Sequence, residues 1–131
     1  METIRQIIED YGGLESLRRS PLRFNIAPGN SLLIEDRGRG PDGRQAIRLT
    51  CFLRPNGKLC HSRVLLEVTD LGLLPFFLRS YTGEVMRVYR MDRRRRIRQV
   101  RPHVRARIVR KTSEWDDWLG NYLDEREILT T

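Results

Sequence analysis

The side chains whose number and spacing suggest a chemistry are guanidinium groups, and that chemistry is the capture of phosphate. Twelve of the 25 residues from Arg87 to Lys111 are cationic: Arg87, Arg90, Arg93, Arg94, Arg95, Arg96, Arg98, Arg101, Arg105, Arg107, Arg110 and Lys111. Asp92 is the only acid among them, so the segment carries +11 while the rest of the chain sums to −3. The whole net charge of +8 therefore sits in one stretch, the electrostatic footprint of a protein that holds a polyanion. Only two of the 25 bases are lysines. GC-rich coding explains such a bias over a whole chain; the clustering is a separate feature. Functionally, arginine's planar fork suits bidentate phosphate contacts and stacking.

On a strand, residues i and i+2 lie on one face about 6.6–6.8 Å apart, comparable to successive phosphates of a nucleic-acid strand. Arg101, His103, Arg105 and Arg107 then form a row of donors along one backbone, while Val100, Val104, Ala106 and Ile108 face the core. If the segment is helical instead, Arg101 and Arg105 still make a basic ridge. Arg93 to Arg96 read as a hairpin tip that grips phosphate or simply solubilises the loop. Such contacts position a protein without specifying bases. The opposing reading is a solvated face balanced within the domain, but the −5 of residues 112–131 offsets less than half of +11. Tyr81 and Tyr89 could stack a base; Phe76, Phe77, Trp115 and Trp118 have core-like spacing.

Other chemistries find little support. Cys51, Cys60, His61 and His103 are the soft ligands, with no C-x-x-C and no paired metal-ligand spacing. His61 or His103 with Cys60 could act as base and nucleophile, and Glu67 with Asp70 as an acid pair, but any chain of this size offers such combinations. Gly38, Gly40 and Gly43 do not lead from a strand into a helix and read as turn glycines. No catalytic, cofactor-binding or metal-ligating residue is assigned.

The elements that must position these groups follow from periodicity. Ile4, Ile7, Ile8 and Tyr11 share one face of a helix from about Glu2 to Tyr11, ended by Gly12-Gly13, with one more short turn at Leu14 and Leu17. Leu22, Phe24 and Ile26 alternate as a strand, and Ala27-Pro28-Gly29-Asn30 turns into a second, Ser31 to Asp36. Arg37 to Gly43 reads as a surface loop. Ala46 to Arg54 and Lys58 to Thr69 flank Asn56-Gly57, a type I′ hairpin signal that pairs Leu53 with Cys60 and Cys51 with Ser62. The thiols are then on one face but not opposite each other, and no disulfide is expected.

Leu71 to Pro75 is expected to connect to a strand from Phe76 to Tyr81, and Thr82-Gly83 to turn into a strand from Glu84 to Met91. From Ile97 the pattern divides. Alternation through Ile108 is strand logic, whereas Val104, Ile108, Lys111, Trp115, Trp118 and Tyr122 step at helical spacing. Ser113 to Asp116 resembles a capping pair, which favours a strand followed by a separate helix from Glu114 to about Glu125.

The 131 residues fit a single α+β domain, a mainly antiparallel sheet of five to seven strands with an N-terminal and a C-terminal helix. No apolar run approaches a membrane span and no secretory signal is visible, so a reducing cytoplasm and no membrane partner are expected.

From Leu33 to Gly43 (LIEDRGRGPDG), and through Asn56-Gly57-Lys58-Leu59, Leu74-Pro75 and Trp118 with Asn121, the chain resembles a family of uncharacterised bacterial domains encoded on plasmids, phages and integrated elements. The resemblance implies a compact α+β domain from a mobile element and brings no activity or catalytic residue. The chain departs from the pattern in carrying His61-Ser62-Arg63 where acids are expected. The functional expectation is a non-enzymatic accessory or regulatory protein that binds the backbone of DNA or RNA. The alternative is an anti-defence inhibitor of the anti-CRISPR type, docking on a host nuclease or ribonucleoprotein through the same basic surface.

Overall fold

The structure is a computed structural model that describes residues 1–27, 30–54 and 57–130, with backbone only for 26, 27 and 122–130. Among these residues the chain forms three helices and eight strands. Helices α1 (Glu2–Asp10) and α2 (Gly13–Arg19) precede a meander of β1 (Leu22–Ala27), β2 (Asn30–Arg39), β3 (Gln45–Leu53), β4 (Cys60–Thr69), β5 (Gly72–Arg79) and β6 (Val85–Arg87). These pair antiparallel in sequence order as a six-stranded sheet. A separate hairpin, β7 (Tyr89–Met91) with β8 (Ile97–Val100), leads into α3 (Pro102–Thr130). The α+β architecture is the expected one.

Alternation gives the sheet two unlike faces. Phe24, Leu32 and Cys51 form one cross-strand row, and Ile34, Leu49, Val64 and Leu78 the next, all nearly or wholly buried. They join Ile4, Ile7 and Ile8 of α1 and Val104, Ile108, Trp115 and Leu119 of α3 in one core. The helices thus cover one face and leave the other without a helical layer. The β3–β4 register is the expected one, Leu53 opposite Cys60 and Cys51 opposite Ser62. Gly57 has a positive φ (80°), but its N–H donates to the Arg54 carbonyl (3.3 Å), closing a turn that ends on Gly57 and is not centred on Asn56-Gly57; Pro55 and Asn56 themselves lie outside the described residues.

Four boundaries differ from expectation. β2 runs on through Arg39 past a bulge at Asp36–Gly38, so Arg37, Gly38 and Arg39 of the expected Arg37–Gly43 loop are strand. Gly72 (φ 118°) makes the β4–β5 turn tight, so Leu73 to Pro75 belong to β5 and do not connect to it. The expected Glu84–Met91 strand breaks at Val88, whose N–H donates to the Phe76 carbonyl before β7 leaves the sheet. The expected strand through Ile108 is instead the start of α3, with Pro102 at the first helical position, where its missing N–H and fixed φ cost nothing. The buried positions Val104, Ile108, Thr112, Trp115 and Leu119 step by 4, 4, 3 and 4, whereas Val100 and Ala106, which strand logic turned inward, are exposed. Local electrostatics oppose this helix. Its first turn holds no acid and ends on Arg105, a cation at the positive end of the dipole that costs about 0.3–1 kcal/mol. Burying each large apolar side chain returns about 1.5–3 kcal/mol, so packing decides.

Asp116 does not open a helix, as the capping-pair reading expected; it lies within α3 and caps another. Its Oδ2 accepts from Thr3 N–H (3.3 Å) and its Oδ1 from Ile4 N–H (3.2 Å), supplying the side-chain cap that Met1 does not give α1. Gly120 faces α1, and a Cβ there would stand 3.8 Å from Thr3 Oγ1, an ordinary contact that alanine could make. Asp116→Ala is therefore expected to cost about 1 kcal/mol in urea unfolding, as loss of a cap does.

Both cysteines are free thiols. Cys51 is wholly buried, and burial, with Glu114 adding to it, pushes its thiol up to about 12. Cys60 is half-buried. Alkylation of the native protein is expected to label Cys60 first and Cys51 only after denaturation, read by intact mass.

A candidate nucleic-acid interface

Arg87 to Lys111 does not form one solvent-facing row. Arg105, at the edge of the buried stripe of α3, turns inward. Its Nε donates to the Pro75 carbonyl (3.0 Å), and its guanidinium reaches Glu67 Oε1 (2.8 Å) and the Tyr89 hydroxyl (2.9 Å). Arg101 also points in: it donates to the Arg87 carbonyl, and its Nε is buried without a partner among the described residues. The expected row of Arg101, His103, Arg105 and Arg107, and the helical ridge of Arg101 and Arg105, are therefore both corrected. A strand would aim alternate residues at water; a helix carries Arg105 to the flank of Val104 and Ile108. Arg107 reaches Glu84 at 3.6 Å and Lys111 reaches it at 2.7 Å. The Lys111 hydrogen bond holds the Glu84 carboxyl below its ordinary range. His103 and Arg110 are exposed on α3.

The four-arginine tip is a turn, as expected, and Asp92 organises it. Asp92 Oδ1 accepts the N–H groups of Arg94 (2.9 Å) and Arg96 (2.8 Å), and Oδ2 pairs with Arg98 (3.1 Å) and Arg96 (3.4 Å). Arg90, Arg93, Arg94 and Arg95 remain exposed. Arg95 occupies the left-handed region (φ 59°), where glycine would be cheaper by about 1–2 kcal/mol. Its guanidinium lines a groove of about 540 Å³ with Arg37 and Arg39 of β2, between the hairpin and the helix-free face of the sheet.

That face carries what linear charge counting missed. One cross-strand row reads Arg23, Leu33, Thr50, Arg63, Arg79 and Val85; the next reads Glu35, Arg48, Leu65, Phe77 and Arg87; a third holds Ser31, Phe52 and His61. With Arg37 at the β2 bulge, six arginines share the face. Among the described residues its acids are Glu35, which pairs with Arg48 at 3.0 Å, and Glu67, buried under the hairpin. Arg63 stands directly opposite Arg79, a like-charge pair that weakens a sheet. Among the described residues neither has a carboxylate within salt-bridge distance. Arg37, Arg48, Arg63 and Arg79 surround a pocket of about 250 Å³ floored by Leu65 and Phe77. Four guanidiniums converging on an apolar floor are equipped to hold an anionic, partly apolar ligand.

The signal for these residues was present, since each of these arginines except Arg37 neighbours a core residue within a period-two pattern. Arg48 lies between Ile47 and Leu49, and Arg63 between Ser62 and Val64. They lie 15 residues apart in sequence, so only pairing brings them together.

Glu67 marks the other end of the face. Its side chain is 4% exposed, Oε1 accepts from Tyr89 (2.6 Å) and Arg105, and Oε2 has no partner among the described residues. Burial raises its carboxyl above the ordinary range; nearby Asp42 adds to this, while Tyr89 and Arg105 pull the other way. The same burial, with Glu67 beside it, pushes the Tyr89 phenol up to about 12. Tyr89 is thus engaged in the interior and is no free stacking platform, whereas Tyr81 is exposed. Among the described residues no group of three histidine, cysteine or acidic side chains could hold a metal, and no helix is long and apolar enough to cross a membrane. No protein-family model matches the chain, and neither the curated proteins nor the solved structures contain a match.

Proposed function

We propose that the protein is a non-enzymatic accessory or regulatory protein of a mobile genetic element that binds the nucleic-acid backbone in the cytoplasm. The observation that carries this reading is Arg63 opposite Arg79 in a pocket shared with Arg37 and Arg48. Such an arrangement costs stability in the free protein, and a phosphate between the guanidiniums offsets it. Arg95 in the groove and the exposed Arg90, Arg93 and Arg94 extend the positive field and steer association. The mobile-element part of the proposal rests on the resemblance of the Leu33–Gly43 segment.

Six arginines less Glu35, with Glu67 already offset by Arg105 of α3, leave the face at +5. If it engages about five phosphates, log K against log salt is expected to slope near −4.5 on duplex DNA and about −3.5 on single strands. Affinity should vary little with base sequence. An interaction insensitive to salt, or no binding at low salt, overturns the reading. Capture from a host lysate with and without nuclease separates the alternatives: partners lost with nuclease support direct binding, and a protein retained after nuclease favours an inhibitor of a host nuclease.

A further inference from the structure

We infer that the helix-free face takes single-stranded nucleic acid, with Phe52 and Phe77 as surfaces on which bases stack. The inference rests on reading that face as the nucleic-acid interface, and it names the ligand from the groups between the arginines. Phe52 and Phe77 belong to the solvent-side rows of the sheet; Phe77 also packs against the edge of the core, whereas Phe52 does not. Both are half-buried, and each has a guanidinium over its ring: Arg23 at 5.3 Å from the Phe52 centroid, Arg87 at 5.4 Å from that of Phe77. His61 leans on Phe52 at 6.2 Å and lines a cleft of about 460 Å³ with Arg79 and Tyr81.

A base and a guanidinium compete for the same ring face. When a base settles on the ring, the displaced arginine is left beside that nucleotide's own phosphate, so a cation–π contact is exchanged for a charge-assisted hydrogen bond. In a duplex the bases are stacked on each other and their faces are closed to side chains. Reading them from a groove requires a helix or ribbon that fits it; the helices pack on the opposite face of the sheet, and Phe52 and Phe77 lie on the open sheet and not on the β7–β8 ribbon. An open sheet with aromatics between arginines matches instead the combination that holds single strands: a positive groove for the backbone and ring faces for the bases. Phe52 and Phe77 are two strands and four residues apart, about 16 Å by strand geometry, so they serve bases several nucleotides apart.

The full-length protein would be titrated by fluorescence anisotropy, at one low salt concentration, with four probes of equal phosphate number. These are oligo-dT, oligo-U, a duplex, and an abasic strand that keeps the sugar-phosphate backbone without bases. Oligo-dT, oligo-U or both are expected to bind about 10- to 100-fold more tightly than the abasic strand, and more tightly than the duplex. Phe52→Leu, at the ring outside the Arg63–Arg79 pocket, keeps apolar bulk and is expected to reduce that advantage, leaving abasic-strand affinity unchanged. Equal binding of abasic and normal strands by the wild type, which needs no variant to fold, overturns the stacking role while leaving backbone binding intact. Duplex preferred over single strands overturns it too. Absence of binding to every probe overturns both this inference and the backbone-binding proposal beneath it.

Discussion

Arg105→Ala is expected to destabilise the domain by about 3–5 kcal/mol, the cost of leaving a buried charge without its partner. Arg105 holds Glu67, Tyr89 and the Pro75 carbonyl together, and its removal leaves a carboxylate of 4% exposure with the Tyr89 hydroxyl alone. The loss should depend on pH, with a sign the raised Glu67 carboxyl dictates. In the folded protein this group binds its proton more tightly than the ordinary glutamate value of 4.5, so the folded state holds more protons than the unfolded one just above that value. Stability owed to Glu67 is full below pH 4.5 and falls as pH rises through its folded value. Without Arg105 that value rises further and the falling limb extends toward neutrality. Urea unfolding between pH 4 and 8 should show a steeper decline in Arg105→Ala and a shallower one in Glu67→Gln. An Arg105→Ala variant as stable as wild type but unable to bind nucleic acid would return Arg105 to the binding surface.

Arg63 and Arg79 should show the converse. Replacing both by Gln removes two charge-assisted phosphate contacts, each worth about 1.5–3 kcal/mol, so affinity should fall about a hundredfold or more. The salt slope should shrink by about 1.8 on duplex DNA, or 1.4 on single strands. Stability should hold or rise by up to about 1 kcal/mol, because the two cations oppose each other directly across β4 and β5. Anisotropy titrations at three salt concentrations, with thermal unfolding of the same samples, read both quantities. Loss of stability with unchanged affinity would make these arginines structural. Binding lost and stability kept is the pattern of residues held for a ligand.

Much of this fold was legible in the residues. Ile4, Ile7 and Ile8 announce α1 because one turn of helix brings them to one side, and they are buried in the core. The β3–β4 register is the one a two-residue loop at Asn56-Gly57 predicts, because turn position sets which residues face each other, although pairing stops at Leu53 and Cys60. The Asp92-to-Arg96 turn was legible for a related reason: four cations repel into solvent, and the one acid can fold back on their N–H groups. These features arise within a few residues of chain, where propensity, spacing and turn chemistry act without help from elsewhere.

What escaped that reading was decided across long distances in sequence. Val100 to Ile108 satisfies both periods, and only the surface waiting on α1 and β5 selects the helix, against the unfavourable placement of Arg105 in its first turn. That choice turned Arg105 from water to Glu67, 38 residues away, and made Asp116 the cap of α1, 113 residues from Thr3. The candidate site moved for the same reason. Charge counted along the chain finds clusters of neighbours, whereas β-pairing collects residues at intervals. Arg48, Arg63 and Arg79 became one site when their strands paired, because alternation sends every second side chain to the face the helices leave open. The sequence alone determined that this protein carries an excess of arginine and strands to display it. Tertiary structure decided which arginines hold the fold and which face water, because burial depends on what lies across the sheet.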